Sequence, residues 1–168
     1  STGNTPCFYN HFVTDREESF DQPGTPEEPK GHYIFDKPEP LWNFGHGKSY
    51  TTFDYVDCAL SDTLLVASDT LKVSVTIKNT GRRDGKEVVQ LYVRDKVSTV
   101  ATPIQQLKAF QKVLIKPGES QCVELSLPIA ELALYNAKME EVVEPGDFEI
   151  QIGAASDDIR FKKTITIN

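Results

Sequence analysis

Leu71-Lys72-Val73-Ser74-Val75-Thr76-Ile77-Lys78 alternates apolar and polar residues without a break, and its reading decides the fold. A period of two puts Leu71, Val73, Val75 and Ile77 on one face of an extended chain, with the polar residues opposite. That is the pattern of a half-buried β-strand. The same period recurs outward from this stretch. Val123, Leu125 and Leu127 alternate with Glu124 and Ser126, and Phe148, Ile150 and Ile152 with Glu149 and Gln151. Phe161, Ile165 and Ile167 mark a last strand. Val88–Val93 is apolar on both faces apart from Gln90, as in a central strand. Within Leu107–Ile115 the apolar phase slips between Phe110 and Val113, which predicts a bulge there. Asn79-Thr80-Gly81, Asp84-Gly85, Pro117-Gly118 and Pro145-Gly146 separate the segments. The two Pro-Gly pairs suit type II turns, with proline fixing φ and glycine supplying φ > 0. Strands are predicted near 54–59, 70–78, 86–95, 107–115, 121–127, 147–153 and 160–167. Short, regularly spaced strands with such turns argue an all-β sandwich.

Two segments depart from this period. Pro128–Tyr135 spaces Ile129, Leu132 and Ala133 as one helical turn in a crossover. Residues 1–40 form an irregular N-terminal extension. Its stretch from Asp15 to Lys30 is acidic and rich in proline and glycine, and lacks the apolar residues to build a core. It reads as a mobile linker or strap, with Phe8-Tyr9 and Tyr33-Ile34-Phe35 as apolar islands that could dock. The domain proper is placed at 41–168.

At 168 residues one domain is expected, large enough to bury a core. A net charge of -7 argues against nucleic acid or an anionic membrane as partner, since no basic patch is available. No apolar run reaches membrane-spanning length, so no membrane insertion is expected. The first residues show no basic stretch followed by an apolar one, so no secretory signal is read there. Cys7, Cys58 and Cys122 are an odd number and form no CxxC pair, which argues against a disulfide framework and a zinc site. Cys58 and Cys122 would meet only if their strands share a sheet; packing in or near the core is the expected role.

Ahead of the strands, Leu41-Trp42-Asn43-Phe44-Gly45-His46-Gly47-Lys48-Ser49-Tyr50-Thr51-Thr52-Phe53 sets aromatics among glycines. It resembles the PLxPFGxGLSYTxF segment that opens the C-terminal fibronectin-III-like domain of family 3 glycoside hydrolases, the β-glucosidase and β-xylosidase group. Asn43 stands where that pattern has Pro, and Lys48 where it has Leu. Asn79–Val93 is similar to the family's NTGxxxGxEVVQLYV, Leu107–Val113 to LKGFxKV, and Glu144–Phe148 to EPGxF. Pro6-Cys7-Phe8-Tyr9-Asn10-His11 resembles the IPVYYNH end of the preceding α/β-sandwich domain. The resemblance implies a seven-stranded fibronectin-III/immunoglobulin-like β-sandwich, with the catalytic domains of the same polypeptide as its partners. It also implies a periplasmic or secreted location. In that family the nucleophile and the acid/base residue belong to domains outside this stretch, so no catalytic residue carries over.

The residues themselves lead to the same expectation. Glycoside hydrolysis needs two carboxyl groups about 5 to 9.5 Å apart across a cleft. Glu140-Glu141 and Asp157-Asp158 are adjacent acids in turn-like stretches, best read as solvated. His11, His32 and His46 have neither nucleophile partners nor ligand spacing, so no metal or cofactor is expected. Trp42, Phe44, His46 and Tyr50 remain as candidate interdomain contacts, with stacking on a sugar ring as the competing reading. Two functions result. One is a non-catalytic accessory domain of a family 3 glycoside hydrolase, inactive alone. The other is an independent carbohydrate- or protein-binding module.

Overall fold

A computed structural model of the chain describes residues 9–12, 26–27 and 40–168. Cys7, His32, the 15–30 stretch apart from Thr25's followers Pro26 and Glu27, and the 33–35 island lie outside the described residues. The strands are β1 (Phe53–Leu60), β2 (Leu64–Leu65), β3 (Thr70–Asn79), β4 (Gly85–Asp95), β5 (Gln106–Ile115), β6 (Ser120–Pro128), β7 (Leu134–Tyr135), β8 (Glu141–Val142), β9 (Gly146–Gly153) and β10 (Ile159–Ile167). One sheet has the order β1-β3-β6 and the other β2-β10-β9-β4-β5. β7 and β8 form a small separate hairpin. Every pairing is antiparallel except β2 with β10. The seven long strands are those the alternation predicts.

The alternating residues supply the core. Leu71, Val73, Val75 and Ile77 of β3 and Val123, Leu125 and Leu127 of β6 form one wall. Val89, Leu91 and Val93 of β4, Ile150 and Ile152 of β9, and Ile165 and Ile167 of β10 form the other. Burying each such side chain contributes about 1.5–3 kcal/mol before chain entropy is set against it. Phe148 is buried among them, without a hydroxyl to place. Ile129–Leu132 makes a single 3-10 turn that buries Ile129 and Leu132 in the crossover from β6 to β9.

Three expectations are corrected. The bulge in β5 lies at Lys108, because Leu91 pairs with Ala109 and Tyr92 with Leu107. Beyond it Ala109, Val113 and Ile115 keep one inward parity, and Phe110 faces outward at 67% exposure. The apparent slip arose from taking every large apolar residue as buried. The bulge has a use, since Lys108 Nζ donates to the Glu131 carbonyl at 2.7 Å and ties β5 to the 3-10 turn. Lys116–Glu119 is a turn as expected, with Gly118 at φ 76° and Glu119 N donating to Lys116 O. Pro145-Gly146 is not a turn: Gly146 already pairs with Ile167 in the ladder. Finally, Cys58 is buried but Cys122 is exposed. Both belong to the three-stranded sheet, with β3 between their strands.

Candidate functional site: the aromatic run and the outer sheet face

The aromatic run is held in place by backbone and amide contacts rather than by burial. Asn43 Nδ2 donates to Asp157 at 2.7 Å, and Ser156 N donates to Phe44 O at 2.9 Å, so the β9–β10 loop grips it from one side. Gln90 grips it from below. Its Nε2 donates to the carbonyls of Gly45 and Ala154, and its Oε1 accepts the Tyr92 hydroxyl at 2.6 Å. Gln90 is only 3% exposed, so this full pairing is what makes its burial tolerable. Gly45 sits at φ 81° against Gln90, and a Cβ there would overlap the amide.

Next along the chain, Thr51 Oγ1 donates to Asn79 Oδ1 at 2.7 Å, and Thr80 N donates to Thr52 O at 2.9 Å. Asn79 is fully buried. Its amide also donates to Arg83 O and Ile115 O, both at 2.8 Å, and accepts from Gly81 N at 3.0 Å. All four hydrogen-bonding positions of the side chain are filled. A Cβ on Gly81 would overlap Thr51. The Asn-Thr-Gly turn and the Tyr-Thr-Thr-Phe stretch are therefore two halves of one joint.

The structure separates the four candidate contact residues. Trp42 stacks on His46 at 4.6 Å between centroids, with Lys48 Nζ 4.4 Å from the Trp42 centroid. Phe44 turns the other way and stacks on Tyr9 at 4.0 Å. Tyr50 is 91% exposed. With Leu41 they present a ridge of large apolar side chains to solvent on a rigidly tethered backbone.

Two carboxyl groups have environments that the sequence reading passed over. Burial raises the Glu87 carboxyl above the ordinary glutamate range, although the Tyr55 hydroxyl donates to it at 3.0 Å. Burial likewise raises Asp95. They stand at opposite ends of β4, roughly 27 Å apart at about 3.4 Å per residue, far beyond the reach of one glycosidic bond. Of the adjacent acids, Glu140 and Glu141 are exposed, whereas Asp157 accepts from Asn43 and Asp158 pairs with Arg160. Glu144 accepts from the Thr99 backbone and hydroxyl and from Ser98, which holds its carboxyl below the usual range. It thereby pins the loop after β4, which gives the glutamate of the Glu-Pro-Gly motif a structural role. The hollows beside Asp95 measure about 60 and 220 Å³, below the 300–1,000 Å³ of ordinary ligand sites. Among the described residues no cluster of three potential metal ligands occurs.

Comparison with known proteins bears on this geometry. Residues 87–156 match the fibronectin type III-like domain family. The chain is 44% identical over 133 residues to a β-xylosidase of Formosa agariphila, covering 78% of this chain and 18% of that protein. It is 36% identical over 159 residues to a periplasmic β-glucosidase of Salmonella typhimurium, covering 93% and 20% respectively. The crystal structure of a β-glucosidase from Listeria innocua in complex with glucose superposes with a TM-score of 0.80 at 35% identity, covering 99% of this chain and 23% of that one. The chain thus spans about a fifth of the length of the relatives it matches.

Proposed function

We propose, from the premise that the chain belongs to the fibronectin type III-like domain family as it occurs within β-glucosidases and β-xylosidases, that it is the non-catalytic accessory domain of a family 3 glycoside hydrolase. In this reading it supports catalytic domains carried elsewhere on the same polypeptide. The observation that carries the reading is the tethered aromatic ridge. Leu41, Trp42 and Tyr50 are 85%, 55% and 91% exposed on a backbone fixed by Gln90, Asn79 and the β9–β10 loop. A rigid apolar ridge at the point where the chain enters the sandwich suits a seam with a neighbouring domain. Trp42, Phe44, His46 and Tyr50 are the seam residues. The boundary between leader and sandwich is placed near residue 40, and limited proteolysis of the chain tests that placement.

The deciding experiment is Trp42→Ala in the full-length parent. Truncating a core tryptophan costs about 3–5 kcal/mol, and a seam that can relax costs less. The expected result is a loss of roughly 1–3 kcal/mol in the parent, a smaller loss in the isolated chain, and an unchanged KM. Intact parent stability with a sharp rise in KM overturns the reading in favour of a sugar-binding module.

A further inference from the structure

Tyr92 and Gln151 belong to the face of the five-stranded sheet that turns away from the core, yet they are 0% and 4% exposed. Something covers that face. Among the described residues the cover includes the aromatic run and Tyr9, from the far end of the chain. The Tyr9 ring stacks on Phe44 and meets Tyr92 edge-on at 6.0 Å. Its hydroxyl accepts from Leu107 N at 3.2 Å, beside the Lys108 bulge where the β5 ladder is interrupted. Two residues on, the His11 carbonyl accepts from Ile104 N at 2.9 Å, and Phe12 bridges to Pro103 in antiparallel fashion. Tyr9 and Asn10 form a turn and Phe12 an isolated bridge, so one aromatic anchor and one main-chain bridge lay this segment against β5 and the loop before it.

We propose that the outer face of the five-stranded sheet is a peptide-docking groove whose resident ligand is the chain's own Tyr9–Phe12 strap. The ligand it takes is a short segment that opens with a tyrosine in a turn and is bridged through its main chain at the fourth position. Tyrosine is required because the ring fills the gap between Phe44 and Tyr92 while the hydroxyl reaches the Leu107 amide. The bulge serves both faces: it sends Lys108 to the Glu131 carbonyl and leaves the Leu107 N–H for the strap. The sandwich is then attached at two places, Tyr9 and the 41–53 run. This inference does not depend on the parent being a glycosidase.

Native-state hydrogen exchange on the 168-residue chain tests it, with the Leu91 amide inside β4 as the internal control for global opening. In Tyr9→Phe the stack stays and the hydroxyl goes. Leu107 should then exchange about fivefold faster relative to Leu91, with Ile104 within about twofold of the parent. In Tyr9→Ala the whole strap should lift, and both Leu107 and Ile104 should exchange at least about tenfold faster relative to Leu91. If either amide in Tyr9→Ala stays within about twofold of the parent, the groove is not occupied by this strap. An unchanged Leu107 amide in Tyr9→Phe removes the role given to the hydroxyl, and the proposal with it.

Discussion

Asn79→Ala should be among the most damaging single changes in this chain, although it removes no apolar contact. The residue closes the joint between the 41–53 run, the β3–β4 turn and the end of β5. Each of its four hydrogen bonds has a net worth of about 1 kcal/mol, and a buried partner left unpaired costs about 1–3 kcal/mol. Only the bond to Ile115 O is wholly buried; water can reach the others. The expected loss is therefore roughly 3–5 kcal/mol, a large part of the 5–15 kcal/mol typical of a folded domain. At about 2–4 °C per kcal/mol for a protein of this size, Tm should fall by roughly 6–20 °C. Asn79→Asp separates hydrogen bonding from shape. It keeps the oxygen that accepts from Thr51 and Gly81 but turns a second oxygen toward the Arg83 and Ile115 carbonyls. That carboxyl will have a folded-state pKa above its unfolded value of about 3.9. Its penalty is then absent below the unfolded value and grows as pH rises toward the folded one. Urea unfolding at pH 4 and pH 7 reads both variants against the parent. The gap between Asn79→Asp and the parent should widen with pH, and the Asn79→Ala gap should stay flat. A loss under about 1 kcal/mol for Asn79→Ala, or an Asn79→Asp gap that narrows as pH rises, refutes the reasoning.

Two further changes should stabilise the chain. Burial holds the Glu87 carboxyl above the ordinary range, so its ionisation opposes folding once pH exceeds the unfolded value of about 4.3. Glu87→Gln keeps an acceptor for the Tyr55 hydroxyl and should add about 0.5–1 kcal/mol at pH 7, fading to nothing at pH 4; a loss at pH 7 in urea unfolding contradicts this. Met139 takes φ 63° with its side chain 78% exposed, so it bears backbone strain without packing in return. Met139→Gly should raise stability by about 0.5 kcal/mol after the extra unfolded-state entropy of glycine, and a lower Tm by calorimetry counts against it.

The core was legible because its signal is local. Leu71 to Ile77 announce their face by alternation, and a strand needs no distant information to do so. Phe110 shows where that logic fails. Large and apolar, it reads as core, yet it lies on the outer face of an edge strand, and the parity of Ala109, Val113 and Ile115 is the better guide. The turns divided on the same ground. Pro117-Gly118 closes a connection between sheets and behaves as its residues dictate. Pro145-Gly146 is drawn straight by pairing with β10, a partner some twenty residues away in sequence. The raised Glu87 carboxyl was illegible because the burial that raises it exists only in the folded chain.

Gln90 carries the rest of the argument. It is the one polar residue in the otherwise apolar Val88–Val93 segment, and the alternation assigns it simply to the face opposite Val89 and Leu91. An isolated sandwich would leave that face to solvent, where a glutamine needs no partner. Its burial goes with cover brought by the aromatic run, about forty-five positions upstream, where the Gly45 carbonyl accepts from its amide. The cover works only because Gly45 lets the backbone approach the amide and because Tyr92 supplies a hydroxyl for its oxygen. A polar residue in an apolar central strand is thus a sign that the strand's second face has a dedicated partner. Here that partner is the 41–47 run, so the contacts that complete this face come from the segment just ahead of β1.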